Sequence, residues 1–535
     1  MKSLTRREML AVPLAAAACG TRTAERRPNI LLAYTDDQSY PHASILGDPV
    51  VRTPAFDRVA REGVLFNHSY TACPSCTPSR SALLTGRQIW GIGEAGVLFG
   101  TLSPDYPLFP HLLEDAGYHI GFVGKPWAPG DWRAAGLTRH PFGAEYDARL
   151  DPDPPDGIDI RDYAANFEDF LADRPEGEPF FFFFGATEPH RDYESGIGAR
   201  SGLDPDKVFV PPYLPDAPEV RSELLDYYYE IEHFDRHLGR MLDTLESMGE
   251  LDNTLVVVTS DNGMPFSRTK ATLYDSGTRM PTAVRWGSRA AGGRTIEDFV
   301  SHTDFAPTFL EAAGVAPVGS HDGRSLVPLL TGGGEGRLDP NRDHVVTAME
   351  RHTWCRPDGA TYPMRAIRTH DYLYIRNYEP DRWPTGGPEF ISSNKAPHGD
   401  LDDGPFKDFL LLPETHERFP REVEAGLGKR PAEELYDCRA DPHQMNNLAD
   451  DPALEPVRAQ LSQRLEEILR EGGDPRMDGL DPWQGFAYRQ VDGFGATYNR
   501  TLDPAEREAA RSRGKHAVGH SKSDLEIQRN APAAR

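Results

Sequence analysis

The sequence predicts an α/β fold: a large, mixed, mainly parallel sheet flanked by helices, followed by a smaller C-terminal α+β domain. Three observations carry this reading. Short apolar runs bounded by turn residues recur in the first half of the chain. Helical patterns alternate with them, the signature of layered α/β folds. Each run is followed at once by charged or polar side chains, and in open parallel sheets ligands bind outside the carboxyl ends of the strands.

The apolar runs cover 29–35, 119–124, 180–186 and 254–260, and their continuous rather than alternating hydrophobicity points to strands buried on both faces. Helices are predicted over 53–63, 109–117, 161–173 and 222–248. The residues that follow the runs are Asp36-Asp37, Lys125, Glu188-Pro189-His190 and Asp261-Asn262. Turns are polar in general, but carboxylates, a lysine and a histidine converging on one sheet edge describe a site more readily than a set of loops.

Past residue 340 the texture changes to short β-like pieces such as 372–377, many Pro and Gly, and a helical stretch over 455–471. The expected organisation is an export signal and linker (1–28), a catalytic domain (29–340), a smaller domain (341–480) and a partly irregular extension (481–535), which is charged and poor in apolar residues from Ala505 onward.

At 535 residues, with 38% hydrophobic and 10% aromatic residues, the chain buries a full core. Its net charge of -25 excludes a nucleic-acid-binding role, which needs a clustered cationic surface. The start, MKSLTRREMLAVPLAAAAC, has a basic head and an apolar run too short to span a membrane as a mature helix. It reads as a cleaved signal, with Arg6-Arg7 pointing to the twin-arginine route and to a periplasmic or cell-envelope destination. Ala16-Ala17-Ala18-Cys19 resembles a lipoprotein cleavage site, so a lipid anchor at Cys19 stands beside a plain signal with an incidental cysteine. No transmembrane domain is expected. The remaining cysteines, Cys73, Cys76, Cys355 and Cys438, imply no dense disulfide framework.

The segment Cys73-Pro-Ser-Cys76-Thr-Pro78-Ser-Arg80-Ser-Ala-Leu-Leu-Thr-Gly86-Arg87 reads as a turn entering a short helix, with Pro78 in its first turn and Gly86 near its end. Cys76 then sits at the helix N-terminus, where backbone N–H groups, the helix dipole and Arg80 one turn on favour anions. The competing reading of Cys73-x-x-Cys76 as a redox pair or half a zinc site lacks a second ligand pair and gives Pro78 and Arg80 no role.

Cys76-Thr77-Pro78-Ser79-Arg80 resembles the Cys-x-Pro-x-Arg pattern of formylglycine-dependent sulfatases, in the alkaline-phosphatase-like superfamily. The Leu-Thr-Gly-Arg after it, and Ala116-Gly117-Tyr118 through Gly124-Lys125, are similar to further family signatures. The resemblance covers about 29 to 450 and is closest to the branch that includes heparan N-sulfatases, through 260–266, 273–278, 362–369 and 433–437. It implies oxidation of Cys76 to formylglycine by a separate formylglycine-generating enzyme. One hydroxyl of the hydrated aldehyde then attacks sulfur and the other expels sulfate, splitting a hard displacement into two easier steps.

The resemblance further implies Ca2+, with Mg2+ as the alternative, held by Asp36, Asp37, Asp261, Asn262 and the modified Cys76. Arg80, Lys125 and Lys270 would surround the sulfate, and His190 would protonate the leaving group. Arg365 and His352 are expected to bind the sugar, with a structural ion pair as the alternative role for Arg365. Many sulfatases read Gly-Lys-x-His where this chain has Gly124-Lys125-Pro126-Trp127. That leaves the base acting on the second hydroxyl unassigned, and His42, His68 and His111 are not separated by spacing.

The expected substrate is an N-sulfated glucosaminide of heparan or heparin type, with O-sulfated glycosaminoglycan or other polysaccharide fragments as the alternative. A phosphoester or phosphonate hydrolase of the superfamily is the rival chemistry, set against by a cysteine where Ser or Thr is normal. A non-catalytic glycan-binding lipoprotein is the rival class, and it needs no complete ligand set.

Overall fold

The computed structural model describes residues 26–391, 397–488 and 500–501, so the signal segment and Cys19 lie outside the described residues, as does most of the chain beyond 488. The large sheet has eight strands: β1 (Asn29–Thr35), β2 (Val64–Phe66), β3 (His119–Gly124), β4 (Ala144–Glu145), β5 (Phe180–Gly185), β6 (Thr254–Ser260), β7 (Thr282–Arg285) and β8 (Arg294–Ile296). Their order is β4-β3-β5-β1-β6-β7-β2-β8. Every pairing is parallel except those of β7 with β6 and β2, which make the sheet mixed.

The run Phe180–Gly185 shows why these strands are apolar throughout. Phe181 and Phe183 enter one core, and Phe180, Phe182 and Phe184 enter the other. Ile30, Leu32 and Tyr34 part from Leu31 and Ala33 in the same way. Helices α1 (Pro54–Glu62), α4 (Tyr163–Asp173) and α5 (Pro218–Ser247) cover the second face; α2 (Cys76–Thr85), α3 (Phe109–Asp115) and α6 (Phe305–Ala313) cover the first. Helix α5 begins at Pro218, ahead of the expected 222, because a proline is well placed in the first turn, where its missing N–H leaves no gap.

The register gathers the functional ends. Gly124 pairs with Gly185, Tyr34 with Gly185 and Thr35 with Ser260. Lys125, the 187–190 turn, Asp36 and Asp261 therefore leave the sheet side by side. Close approach is needed here: a Cβ at Gly124 or at Gly185 would strike the facing backbone carbonyl.

A second, antiparallel sheet orders β9 (His344–Met349), β10 (Met364–Thr369), β11 (Tyr372–Asn377) and β12 (Glu433–Asp437) consecutively. Helix α7 (Glu455–Glu471) covers it through Leu461, Leu465 and Leu469. Cys73, Trp90, Leu273 and Tyr274 share this apolar cluster, which joins the small sheet to the loops around the large one. The four described cysteines are free and buried.

His302 is fully buried beneath the site, with Nδ1 at 3.2 Å from the Tyr34 hydroxyl and Nε2 at 3.4 Å from the Thr259 hydroxyl. Burial lowers its pKa from 6.5 to about 3. The unfolded chain takes up this proton first as pH falls, so the stability held by neutral His302 is complete above about pH 6.5 and is lost toward pH 3. Against a His302→Gln variant, the wild-type advantage in denaturant unfolding shrinks by about 1.4 kcal/mol per pH unit between pH 6.5 and 4. A constant difference contradicts this.

Candidate active site

Helix α2 opens at Cys76 and closes at Gly86, whose φ of 66° is the left-handed conformation glycine supplies at helix ends. Ser75 occupies the N-cap without capping through its side chain; its hydroxyl instead lies 2.8 Å from Nδ1 of His352. Cys76 thus faces the strand ends with its backbone at a positive dipole end. Its Sγ is 3.5 Å from Oδ1 of Asp36 and 3.5 Å from Nζ of Lys125. Burial pushes the thiol well above its usual pKa; the Asp36 carboxylate adds to this and the Lys125 ammonium opposes it. An unmodified thiol here is protonated at neutral pH and poorly nucleophilic.

Arg80, one turn into α2, is fully buried. Its Nε donates to Asp261 Oδ2 at 2.9 Å, and Nη1 donates at 2.8 Å to the carbonyls of Lys125 and Pro126. It ties the helix start to the ends of β3 and β6. Lys125 pairs with Asp36, and Lys270 bridges Asp37 at 2.7 Å and Asp402 at 2.9 Å. Asp37 adopts a φ of 72°, a strained conformation for a non-glycine residue of the kind that persists where surroundings over-determine it. Its N–H donates to Asp261 Oδ1 at 3.1 Å, and its Oδ1 accepts from Asn262 Nδ2 at 2.6 Å.

The donor set fits a hard cation. Asp36, Asp37, Asp261 and Asn262 are all buried, and the Asn262 Oδ1 has no hydrogen-bond partner. The ligand atoms of Asp36, Cys76 and Asp261 lie within 4.8 Å of one another, as do those of Asp37, His190 and Asp402. Burial holds Asp261 up at about 7, and Asp36 beside it adds to the shift against Arg80. Asp37 is likewise raised to about 7 by burial, against the pull of Lys270. Asp36, by contrast, is held well below the carboxylate range: burial pushes it up, but Lys125, His190 and Arg80 outweigh that. Buried carboxylates crowded this closely, with an amide oxygen left over, are the oxygen ligands a divalent ion collects.

His190 follows the end of β5. Its Nδ1 lies 2.6 Å from the carbonyl oxygen of Arg191, which can only accept, so Nδ1 carries the proton and Nε2 faces Asp37 Oδ2 at 3.8 Å. Burial lowers its pKa to about 4, with Lys270 contributing and Asp36 opposing. His352 lies on the edge of the same cluster. Burial lowers it to about 4, and the charges it feels are Asp400, Lys270, Asp402 and His190.

Arg365 is not brought to this cluster. It is fully buried in the small sheet, where Nε donates to Asp474 Oδ2 at 2.6 Å and Nη2 donates to Glu350 Oε1 at 2.6 Å. Its charge is engaged by these ion pairs, the arrangement that the structural alternative expects. Arg365→Ala, which strips buried Asp474 of its ion pair and leaves Glu350 with Arg476 alone, is expected to lower stability by about 3–5 kcal/mol in denaturant unfolding, with KM unchanged in whatever folds. A raised KM at unchanged stability would restore the sugar-binding role.

Trp127 packs into the core and donates Nε1–H to Ser81 Oγ at 2.7 Å, behind α2. The histidines left unassigned lie elsewhere: His42 pairs with Asp48 at 2.9 Å, His68 with Glu297 at 3.3 Å, and His111 sits 3.0 Å from the His140 carbonyl. Asp402, by contrast, was not foreseen. It stands in the acidic loop Asp400-Leu401-Asp402-Asp403, whose composition is that of a solvated turn, and only the tertiary fold sets it on Lys270.

A cysteine at a helix start beside crowded carboxylates, with Arg80, Lys125 and Lys270 around them, makes a site that could hold a divalent cation and an anionic group. The chain belongs to the sulfatase family, whose pattern its residues 28–315 match, and it is an enzyme that hydrolyses sulfate esters or sulfamates. Residues 268–386 also match the family described as N-sulphoglucosamine sulphohydrolase, C-terminal. Human N-sulphoglucosamine sulphohydrolase is 28% identical over 506 residues, covering 86% of this chain and 91% of that protein. An ulvan-active sulfatase of Formosa agariphila is 26% identical over 500 residues, covering 84% and 76%. Among solved structures, BT4656 in complex with its substrate D-glucosamine-2-N,6-O-disulfate superposes with a TM-score of 0.62 at 21% identity, covering 85% of this chain and all of that one. The fold is therefore that of sulfatases, as expected.

Proposed function

We propose that the enzyme removes the N-sulfate of glucosamine at the end of heparan- or heparin-type saccharides, using formylglycine at position 76 and Ca2+. The observation that carries the chemistry is Cys76 at a helix N-terminus within 3.5 Å of both Asp36 and Lys125, inside a ring of three carboxylates and three cations. The match to the N-sulphoglucosamine sulphohydrolase C-terminal family supports the substrate. Among the described residues no helix is long and apolar enough to cross a membrane. The reading includes oxidation of Cys76 by a formylglycine-generating enzyme, export by the twin-arginine route to the periplasm or cell envelope, and a catalytic domain at 29–340 followed by the smaller one at 341–480.

Asp36, Asp37, Asp261 and Asn262, with the residue at 76, would hold the cation. When bound, it supplies Lewis-acid polarisation of the sulfate and favours an ionised nucleophile. The remaining work falls to the chain. Arg80, fixed by Asp261 and two carbonyls, keeps α2 and its nucleophile in register with the strand ends. Lys125 and Lys270 place preorganised positive charge where the sulfuryl oxygens gain negative charge. His190, once protonated at Nε2, passes that proton to the departing nitrogen or oxygen, leaving neutral imidazole held through Nδ1.

A leaving-group comparison isolates this step. His190→Ala is expected to lower kcat/KM about 10²- to 10⁴-fold for a sulfamate or alkyl sulfate, and far less for a nitrophenyl sulfate, whose phenolate departs without a proton. Equal losses for both substrates contradict the assignment.

The substrate is tested by sulfate release from paired N-sulfated and O-sulfated glucosamine saccharides. Release from the N-sulfated member alone supports the reading. Release from the O-sulfated member alone favours an O-sulfatase on glycosaminoglycan or other polysaccharide fragments, the alternative that the ulvan-active relative supports.

A further inference from the structure

Beside the nucleophile, three segments distant in sequence bring aromatic rings together. Leu98 and Phe99 form one buried apolar cluster with Cys76, and Tyr488 packs against it. The ring centroids of Phe99 and Tyr488 are 4.5 Å apart, and those of Trp354 and Tyr488 are 5.9 Å apart. Phe99 holds a backbone φ of 57°, a left-handed conformation that a bulky residue keeps only when its surroundings impose it.

Arg351 stitches the segments. Its carbonyl accepts the Leu98 N–H at 3.3 Å, and its guanidinium donates to the carbonyls of Phe486 at 2.9 Å and Ala487 at 3.3 Å. The same guanidinium lies 5.0 Å from the centre of the Trp354 ring. Trp354 and Tyr488 are only half-buried, and Tyr488 packs on the apolar cluster that contains Cys76. Rings serving only as core would be closed off, as Trp127 and Trp483 are.

We propose that Phe99, Trp354 and Tyr488 form a stacking wall for the pyranose ring that carries the scissile sulfate. This rests on the reading of the substrate as a saccharide. A pyranose presents an apolar C–H face and a polar hydroxyl rim, and aromatic side chains supply a large, rigid surface for the former at low entropic cost. The charged groups around Cys76 recognise the sulfate, and the wall, continuous with Leu98 and Phe99 beside Cys76, supplies apolar surface. Sugar recognition is thereby separated from sulfate recognition, and the segment 486–488 becomes part of the active site.

The test compares wild type with Trp354→Ala, Tyr488→Ala, Trp354→Phe and Tyr488→Phe, each checked by thermal melting. The alanine variants are expected to raise KM for a sulfated glucosaminide about tenfold, equivalent to about 1.4 kcal/mol, with kcat within about twofold. The phenylalanine variants keep a near-normal KM, and inhibition by inorganic sulfate is unchanged in all four. An unchanged KM in the alanine variants overturns the wall, as does failure of the phenylalanine variants to rescue or a parallel loss of sulfate inhibition. Calorimetry of the same saccharide on Cys76→Ala protein separates the two readings. Saccharide binding that weakens with Tyr488→Ala upholds the wall even where the wild type releases no sulfate, which would sink the reaction. Sulfate release from small aryl esters with no saccharide binding at all overturns the wall and leaves the sulfatase chemistry.

Discussion

Cys76→Ala is expected to abolish sulfate release, with turnover at least about 10⁴-fold below the matured wild type, while the melting temperature changes by no more than about 2–4 °C. The asymmetry follows from what Cys76 touches. Its packing neighbours Leu98 and Phe99 lose one sulfur atom, a small fraction of the contacts around α2. On the proposed mechanism the reaction loses the group that carries the nucleophile, and neither Ser75 nor Thr77 on the same turn is placed to substitute for it: Ser75 is engaged by His352 and Thr77 donates to the Pro129 carbonyl. Steady-state sulfate release and thermal melting on one preparation check both halves. A variant with ordinary activity contradicts the mechanism, and one that fails to fold is replaced by Cys76→Ser, which keeps size and loses the oxidisable sulfur.

Removing the divalent cation with a chelator is expected to lower kcat about 10³-fold, the several kcal/mol that Lewis-acid stabilisation of transition-state charge supplies. Ca2+ should restore it and raise the melting temperature, because a ligand that binds only the folded state stabilises it by mass action. Asn262→Ala sharpens the test. Its Oδ1 is buried without a partner, so the truncation removes an oxygen ligand, together with the hydrogen bond from Nδ2 to Asp37, while all three carboxylates remain. The variant is expected to need about 10- to 100-fold more Ca2+ for half-maximal activity, with kcat largely recovered at saturation. Activity indifferent to chelation, or restored by Ca2+ at the same concentration in the variant, contradicts the assignment of these residues.

The fold and the heart of the site were readable from local pattern because strand ends are local. An apolar run fixes a buried strand, and the polar residue after it must emerge at the sheet edge, which is how Asp36, Lys125, His190 and Asp261 come together. The start of α2 followed from Pro78 and Gly86 for the same reason. Contacts made across the two sheets carry no such signal. Asp402 looks like any turn acid, Arg365 like any arginine suited to a carboxylate, and His352 shows nothing in its spacing that would seat it on Ser75. The sequence places a partly irregular extension from residue 481, and nothing in its pattern shows that Trp483 enters the small-sheet core or that Tyr488 packs on the cluster holding Cys76. Packing partners hundreds of residues apart set these positions, and no periodicity encodes them.

The most direct test of a formylglycine sulfatase is peptide mass measurement across residue 76, paired with sulfate release, on protein made with and without a co-expressed formylglycine-generating enzyme. Activity that rises in proportion to the aldehyde-bearing fraction, from none in the cysteine form, is the predicted result. Equal activity from protein whose Cys76 remains a thiol would contradict it.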